Sequence, residues 1–327
     1  LPNDAVTDIT KDKSVHYWAA IWSYGVFGFD IVNGKVRPLN TYKNIPKIES
    51  VKGIYCDSKN RIWVASLKQG VCIISNQTSA KPLITSLPEN EYLKKLQLID
   101  FFEDSDHNIW VCTYHGIGKI SPSNKIEVFK IPIVKGIAPQ GDISMGVYES
   151  NDKTIWVLSS YGLMKYDKAR KSFISCSEHY DLPFPIQGIV EGANGVLWLS
   201  SPKGIIAFNS RNNTFRFFDE GFDMHANSFM ERAACKLQNG MICFGGINGL
   251  IGFYPNLMKQ NMKAPNIEFT GLYINNILQQ PGTRNSIISG NISELESIQI
   301  PYKYSVFTIE YDALNFISPH KNTYKYK

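Results

Sequence analysis

The chain has 327 residues, 43% of them hydrophobic and 19% charged, which is ample material for a sizeable buried core. Its net charge of +5 is thinly spread, with no Lys/Arg run or basic stripe suited to nucleic acid. No stretch nears the ~18 apolar residues of a membrane span, and 17 Tyr with 18 Phe lean the composition toward strands.

The chain opens on LPNDAVTDI, without an initiator Met or a signal peptide, and reads as an excised piece of a larger protein. One pattern then recurs in chain order: HYWAAIWSYGVFGFD (16–30), RIWVASLKQGVCIIS (61–75), NIWVCTYHGIGKIS (108–121), TIWVLSSYGLMKYD (154–167), VLWLSSPKGIIAFN (196–209) and MICFGGINGLIGFY (241–254). Trp18, Trp63, Trp110, Trp156 and Trp198 form one column, with Cys243 in the sixth copy. Gly25, Gly70, Gly116, Gly162, Gly204 and Gly249 form another, spaced 45, 46, 46, 42 and 45 residues apart.

Each copy predicts the same local structure. An apolar segment ends in a turn cluster (DSKN, DSDHN, SNDK or GANG), and the Trp strand follows. A short loop closes on the Gly, a third strand ends in an aromatic or Ile, and a fourth follows in most copies, as in SFISC and TFRFF. Four short antiparallel strands in ~45 residues match one propeller blade. The Gly supplies a backbone geometry that side chains hinder, and the Trp fills the wedge between blades.

From about Ala264 the period stops. PNIEFTGLYINN, SIQIPY, SVFTIEYDAL and TYKYK read as strands of a partial Ig-like β-sandwich, ~64 residues where ~100 are usual. The expected fold is therefore all-β, with a propeller over 1–263 and the N-terminal part of a sandwich over 264–327.

Several residue types invite a chemical reading. The six cysteines lack any CxxC spacing and mostly lie in apolar strand contexts, so they read as small free thiols. DSDHN (104–108) begins like a calcium loop, but Ile109 stands where Gly is needed and His115 where Glu is needed, so turn-capping is the expectation. Glu103, Glu149 and Glu191 recur seven residues before a Trp and end successive innermost strands. A glycosidase needs two carboxyls at a defined separation, and nothing here sets one. The histidines (His16, His107, His115, His179, His225, His320) are scattered, with no HExxH and no nucleophile elbow. Neither metal nor cofactor is expected.

The more informative positions are the two residues before each repeat Gly, because they vary within a constant frame. They include Ser23-Tyr24, Tyr114-His115 and Ser160-Tyr161, and Trp22 lies one residue upstream of the first pair. Loops held by a rigid scaffold commonly carry binding, and aromatic faces beside hydrogen-bonding groups suit sugar rings. Trp22, Tyr24, Tyr114, His115 and Tyr161 are thus the candidate ligand-facing residues, with ordinary polar loop tips as the alternative.

The [IL]-W-x-x-(S/T)-x-x-G-(L/I)-x-x-(F/Y)-(D/N) pattern resembles the two-component-regulator propeller repeat. The sixth copy resembles the last blade of such propellers, and IEFTGLYINN through TYKYK is similar to the triple-tyrosine domain that adjoins them, with Tyr324 and Tyr326 in its Y-x-Y element. The resemblance implies the periplasmic sensor region of a Bacteroides-type hybrid two-component histidine kinase. It further implies an oligosaccharide ligand, control of polysaccharide-utilisation genes, a homodimeric receptor, and a membrane anchor and kinase outside this chain. Family propellers are usually seven-bladed, whereas six repeats are visible here. A propeller enzyme (a polysaccharide lyase, a glycosidase or a streptogramin-type lyase) is the alternative, and a structural scaffold is a third reading.

Overall fold

The computed structural model describes residues 5–314 apart from 40–44, 46, 77–78, 80–81, 88–89, 135–140, 177–184, 203, 219–228 and 259–265. The chain divides into two compact units, 1–258 and 259–327. The expected boundary at 263/264 lies within residues outside the described set, as do Lys203, His179, His225, His320, Tyr324 and Tyr326.

The first unit is a β-propeller. Blade 1 holds β1 (Val6–Lys11), β2 (Tyr17–Ile21), β3 (Gly25–Val32) and β4 (Lys35–Pro38). Blade 2 holds β5 (Val51–Cys56), β6 (Ile62–Ser66), β7 (Gly70–Ser75) and β8 (Leu83–Thr85). After a short helix, α1 (Asn90–Lys95), blade 3 holds β9 (Leu98–Glu103), β10 (Ile109–Thr113), β11 (Gly116–Ile120) and β12 (Ile126–Phe129). Blade 4 holds β13 (Ser144–Glu149), β14 (Ile155–Ser159), β15 (Gly162–Asp167) and β16 (Ser172–Ser175). Blade 5 holds β17 (Gly188–Glu191), β18 (Val196–Ser201), β19 (Gly204–Asn209) and β20 (Thr214–Phe218). Blade 6 shows three strands among the described residues, β21 (Phe229–Lys236), β22 (Ile242–Gly246) and β23 (Gly249–Phe253). Every sheet of this unit is an antiparallel meander in chain order. The turns joining first to second strands therefore lie on one face of the unit, and the loops joining second to third strands on the other.

Burial on both sides is what the Trp strands need, and they have it: β6, β10 and β14 are buried at every residue. Each Trp packs forward onto the next blade. Trp63 joins Leu98, Phe101, Ile109 and Val111, Trp110 joins Ile155, Val157, Met164 and Tyr166, and Trp156 joins Leu197, Leu199 and Phe208. The core is thus a row of inter-blade layers, each filled from two repeats.

The repeat glycines all take a positive φ, between 76 and 120. At Gly116 (φ 101) an added Cβ would also strike the Phe129 carbonyl oxygen. Gly34 has a φ of +70 with open space around it, so it separates backbone strain from collision. Gly116→Ala is expected to cost about 2–3 kcal/mol and Gly34→Ala about 1, read from urea denaturation. Equal losses would remove the close approach from the explanation.

The second unit contains β24 (Ile267–Ile274), β25 (Ile277–Leu278) and β26 (Phe307–Ala313) in the order β25-β24-β26. Asn275 and Asn276 (φ 47 and 63) make the two-residue turn between β24 and β25 that the right-handed strand twist favours. SIQIPY is not a strand, contrary to expectation. Ile298 and Ile300 pack on the Leu272–Ile288–Ile292 core without entering a ladder. TYKYK lies outside the described residues, so the expected sandwich is represented among them by one three-stranded sheet.

Candidate functional site

Most of the polar residues that invite chemistry are committed to the frame. The indole Nε1 of Trp18, Trp63 and Trp110 donates to the aspartate six residues earlier: Asp12 at 2.9 Å, Asp57 at 2.8 Å and Asp104 at 2.8 Å. Ser150 accepts the same bond from Trp156 at 2.9 Å. In blade 5 Gly192 stands at that place, and a Cβ there would lie 2.7 Å from Trp198 Nε1. Asp104 also accepts from the backbone N–H groups of Asp106 (3.0 Å) and Asn108 (2.8 Å), so DSDHN is a turn cap. Among the described residues no group of three or more His, Cys, Asp or Glu could hold a metal.

The recurring glutamates staple neighbouring blades together. Glu103 accepts from the Ser58 N–H (2.5 Å) and hydroxyl (2.6 Å) of blade 2. Glu149 does the same to Ser105 of blade 3, at 2.8 and 2.7 Å, and Glu191 accepts from the Asn151 N–H of blade 4 at 2.6 Å. Each carboxylate therefore caps the turn of the preceding blade, where N–H groups outside the ladder need an acceptor. Tyr148 adds a link by accepting from the Glu191 N–H at 3.1 Å. These carboxylates are fastened to turns, which is not the arrangement of a glycosidase pair.

The loops between second and third strands are closed from below by the repeat's Ser/Thr. Thr113 Oγ1 donates to the Gly116 carbonyl at 2.8 Å and accepts from the His115 N–H at 3.0 Å. Ser159 repeats the arrangement with Gly162 (2.9 Å) and Tyr161 (3.2 Å). Blade 1 pairs Ile21 with Gly25 and has a three-residue loop, Trp22-Ser23-Tyr24, with no Ser/Thr at the closing position.

The five candidate residues divide in consequence. Trp22 and Tyr24 are 36% and 41% exposed, His115 is exposed, and Tyr114 is half-buried with its N–H held by Leu96 and Gln97 carbonyls. Lys52 Nζ lies 5.3 Å from the Trp22 ring centre. Tyr161 corrects the expectation: at 2% exposure it belongs to the core with Trp110, Ile131 and Val134, because an aromatic body gains more there than at a loop tip.

Sequence reasoning missed the centre of the propeller. Arg232, on β21 of blade 6, reaches Asp100 of blade 3 (2.9 Å) and Asp8 of blade 1 (3.5 Å) through Nη1. Its φ of 62 falls inside a register shift between Phe229 and Ala234, where a bulge re-aims the side chain inward. Asp8 accepts from the N–H groups of Ile9 (2.8 Å) and Ile54 (3.0 Å). Burial, with the Asp100 charge beside it, pushes the Asp8 carboxyl up to about 7 against the opposing pull of Arg232. A cavity of about 330 Å³ adjoins the cluster, lined by Asp100, Phe102, Tyr148, Glu191, Arg232 and Lys236, and by none of the five loop candidates. The signal was present ten residues before each repeat Trp, where the column Asp8, Gly53, Asp100, Gly146 and Gly188 holds two carboxylates among glycines.

Trp-wedged antiparallel blades stapled by glutamates define a β-propeller, and the resemblance read from its repeats extends to known proteins. The chain is similar to the extracellular domain assigned to a hybrid two component system of B. thetaiotaomicron, with a TM-score of 0.73 and 22% identity over 95% of this chain and 41% of that one. It is 24% identical over 323 residues to histidine kinase P4 of Formosa agariphila, covering 95% of this chain and 23% of that protein. It also shares its fold with virginiamycin B lyase of Staphylococcus aureus, with a TM-score of 0.56, 17% identity and coverage of 77% and 80%. No family model matches the chain. Among the described residues no helix is long and apolar enough to cross a membrane.

Proposed function

We propose that this chain is the ligand-sensing, non-catalytic part of a hybrid two-component receptor, working in the periplasm and binding a glycan-derived oligosaccharide. In this reading the full receptor is a homodimer that controls polysaccharide-utilisation genes, and its anchor and kinase lie elsewhere in the protein. Similarity to a histidine kinase and to the extracellular domain of a two-component system supports the sensory role. The observation that carries the ligand class is the blade 1 loop, where Trp22 and Tyr24 stand exposed on a frame whose repeated Asp and Glu side chains are already engaged. An exposed indole and phenol offer stacking faces for sugar C–H surfaces. Binding can signal only through unequal affinity for two arrangements of the receptor.

Calorimetric titration of the chain with neutral and uronic oligosaccharides tests this, with product analysis alongside. The expected result is stoichiometric binding without product, weakened about tenfold or more in a Trp22→Ala/Tyr114→Ala double variant, the scale of one or two lost anchor contacts. Turnover would make the chain a propeller enzyme, the reading that its likeness to the lyase fold favours. A ligand bound equally well by the variant would remove these residues from the site.

A further inference from the structure

The six cysteines are all free thiols, and two of them face each other across a ladder: Cys235 of β21 and Cys243 of β22 are register partners. The same cross-strand pair in the other blades is Thr10/Trp18, Tyr55/Trp63, Phe102/Trp110, Tyr148/Trp156 and Val190/Trp198. Blade 6 therefore carries two sulfurs where every other blade sets its wedge tryptophan against a backing residue. Register partners share one face of a sheet, with Cα atoms about 4.5–5.5 Å apart in an antiparallel ladder. That separation lies inside the span of about 4.4–6.8 Å that a disulfide bridges.

Access is split between the partners. Cys235 is exposed and Cys243 buried, so an incoming reagent meets Cys235 first. Burial pushes the Cys243 thiol up, and the neighbouring Cys235 sulfur adds to this. Cys56, Cys72 and Cys112 have Ile62, Val64, Asp100 and Ile117 as register partners and no thiol opposite.

We propose that Cys235 and Cys243 are a modification site that closes into a cross-strand disulfide by exchange with an oxidised dithiol protein or a small disulfide. The Cys235 thiolate attacks the incoming disulfide, forming a mixed disulfide and releasing one thiolate. The Cys243 thiolate then attacks Cys235 Sγ, forming the new S–S bond and releasing the second. Two electrons pass from the cysteine pair to the incoming disulfide, and the two cysteine protons end on the released thiols. Leu237 donates to the Met241 carbonyl at 2.8 Å, which makes that pair hydrogen-bonded. The Cys pair, two residues further along each strand, is then of the same type. Cβ atoms of such pairs ordinarily stand about 5.5 Å apart where a relaxed disulfide holds them at about 3.5–4.5 Å, so closure draws the two strands together and leaves a strained, readily reducible bond. It forms three residues from Arg232 and pins the strand that carries the link to Asp8 and Asp100.

The test uses the 327-residue chain in a glutathione redox buffer, followed by acid quenching, alkylation under denaturing conditions and peptide mapping. The expected outcome is a chain lighter by two hydrogens that takes four alkyl groups instead of six, with a linked peptide containing Cys235 and Cys243. Cys243→Ser should stop at a glutathione adduct on Cys235, and hydrogen exchange across Phe229–Lys236 should slow at least severalfold on oxidation of the wild type. Six alkylations, a persistent wild-type glutathione adduct, or a disulfide between two chains would each overturn the proposal. Because it needs no glycan, this experiment can fail while the sensing role stands, and the reverse.

Discussion

Replacing Trp110 with Ala is expected to lower the stability of the propeller by about 3–5 kcal/mol, the range for deleting a large buried aromatic. Trp110 is 1% exposed and meets Tyr166 edge-on at 5.0 Å, with Phe129 and Phe173 at 6.2 Å. Its neighbours belong to two blades, so the cavity opens in the seam between blades 3 and 4, where backbone ladders on both sides resist collapse. The lost indole bond adds little, because the Asn108 amide still donates to both Asp104 oxygens at 3.0 Å. Trp110→Phe should accordingly recover most of the loss. Far-ultraviolet circular dichroism in urea is the suitable measurement, since fluorescence would change with the tryptophan itself. A deficit under about 1 kcal/mol for the alanine variant would mean that the seam repacks, and that the wedge is not what holds blades together.

The frame was legible because a repeat exposes its own constraints. A column of glycine at a fixed period needs one backbone geometry, and positive φ was found at every copy from Gly25 to Gly249. The acidic turns were legible as caps for the same reason. The glutamates were legible as strand ends but not as staples, because their partners Ser58, Ser105 and Asn151 lie 40–45 residues away in the preceding copy. Tyr161 and His115 occupy the same place in successive repeats, yet one is core and the other surface. The difference comes from Ile131 and Val134, which lie in a connection that does not repeat. Arg232 was hidden by a bulge that moves it one place off the column of channel-facing residues. SIQIPY failed as a strand because alternation marks a buried face but not the existence of a ladder partner.

Arg232→Met is expected to destabilise the chain by about 2–4 kcal/mol at pH 8, because the Asp8 and Asp100 carboxyl groups, 26% and 19% exposed, then share a half-buried site with no cation between them. The dependence on pH distinguishes this from lost packing. Asp8 is raised to about 7 from an ordinary 3.8, so the folded chain holds its proton more tightly than the unfolded chain does between those values. Its contribution to stability is therefore complete below about pH 4 and is lost as pH rises through 7. Without Arg232 the one favourable charge on Asp8 disappears, its pKa climbs further, and the loss continues above pH 7. At pH 5 Asp8 is neutral in both proteins, so the gap between wild type and variant should be smaller than at pH 8 by up to about 1.4 kcal/mol, the cost of the one pH unit above 7 that only the variant bears, and what remains is the share of packing and of Asp100. Arg232→Lys keeps the charge on a single nitrogen that must serve two strands, and should fall between the two. Urea denaturation at pH 5 and pH 8 decides the matter. An equal deficit at both values would assign Arg232 to packing alone. A gap that opens with pH would make it an electrostatic tie joining the first, third and sixth blades, and any ligand entering the adjoining cavity would have to compete with that tie.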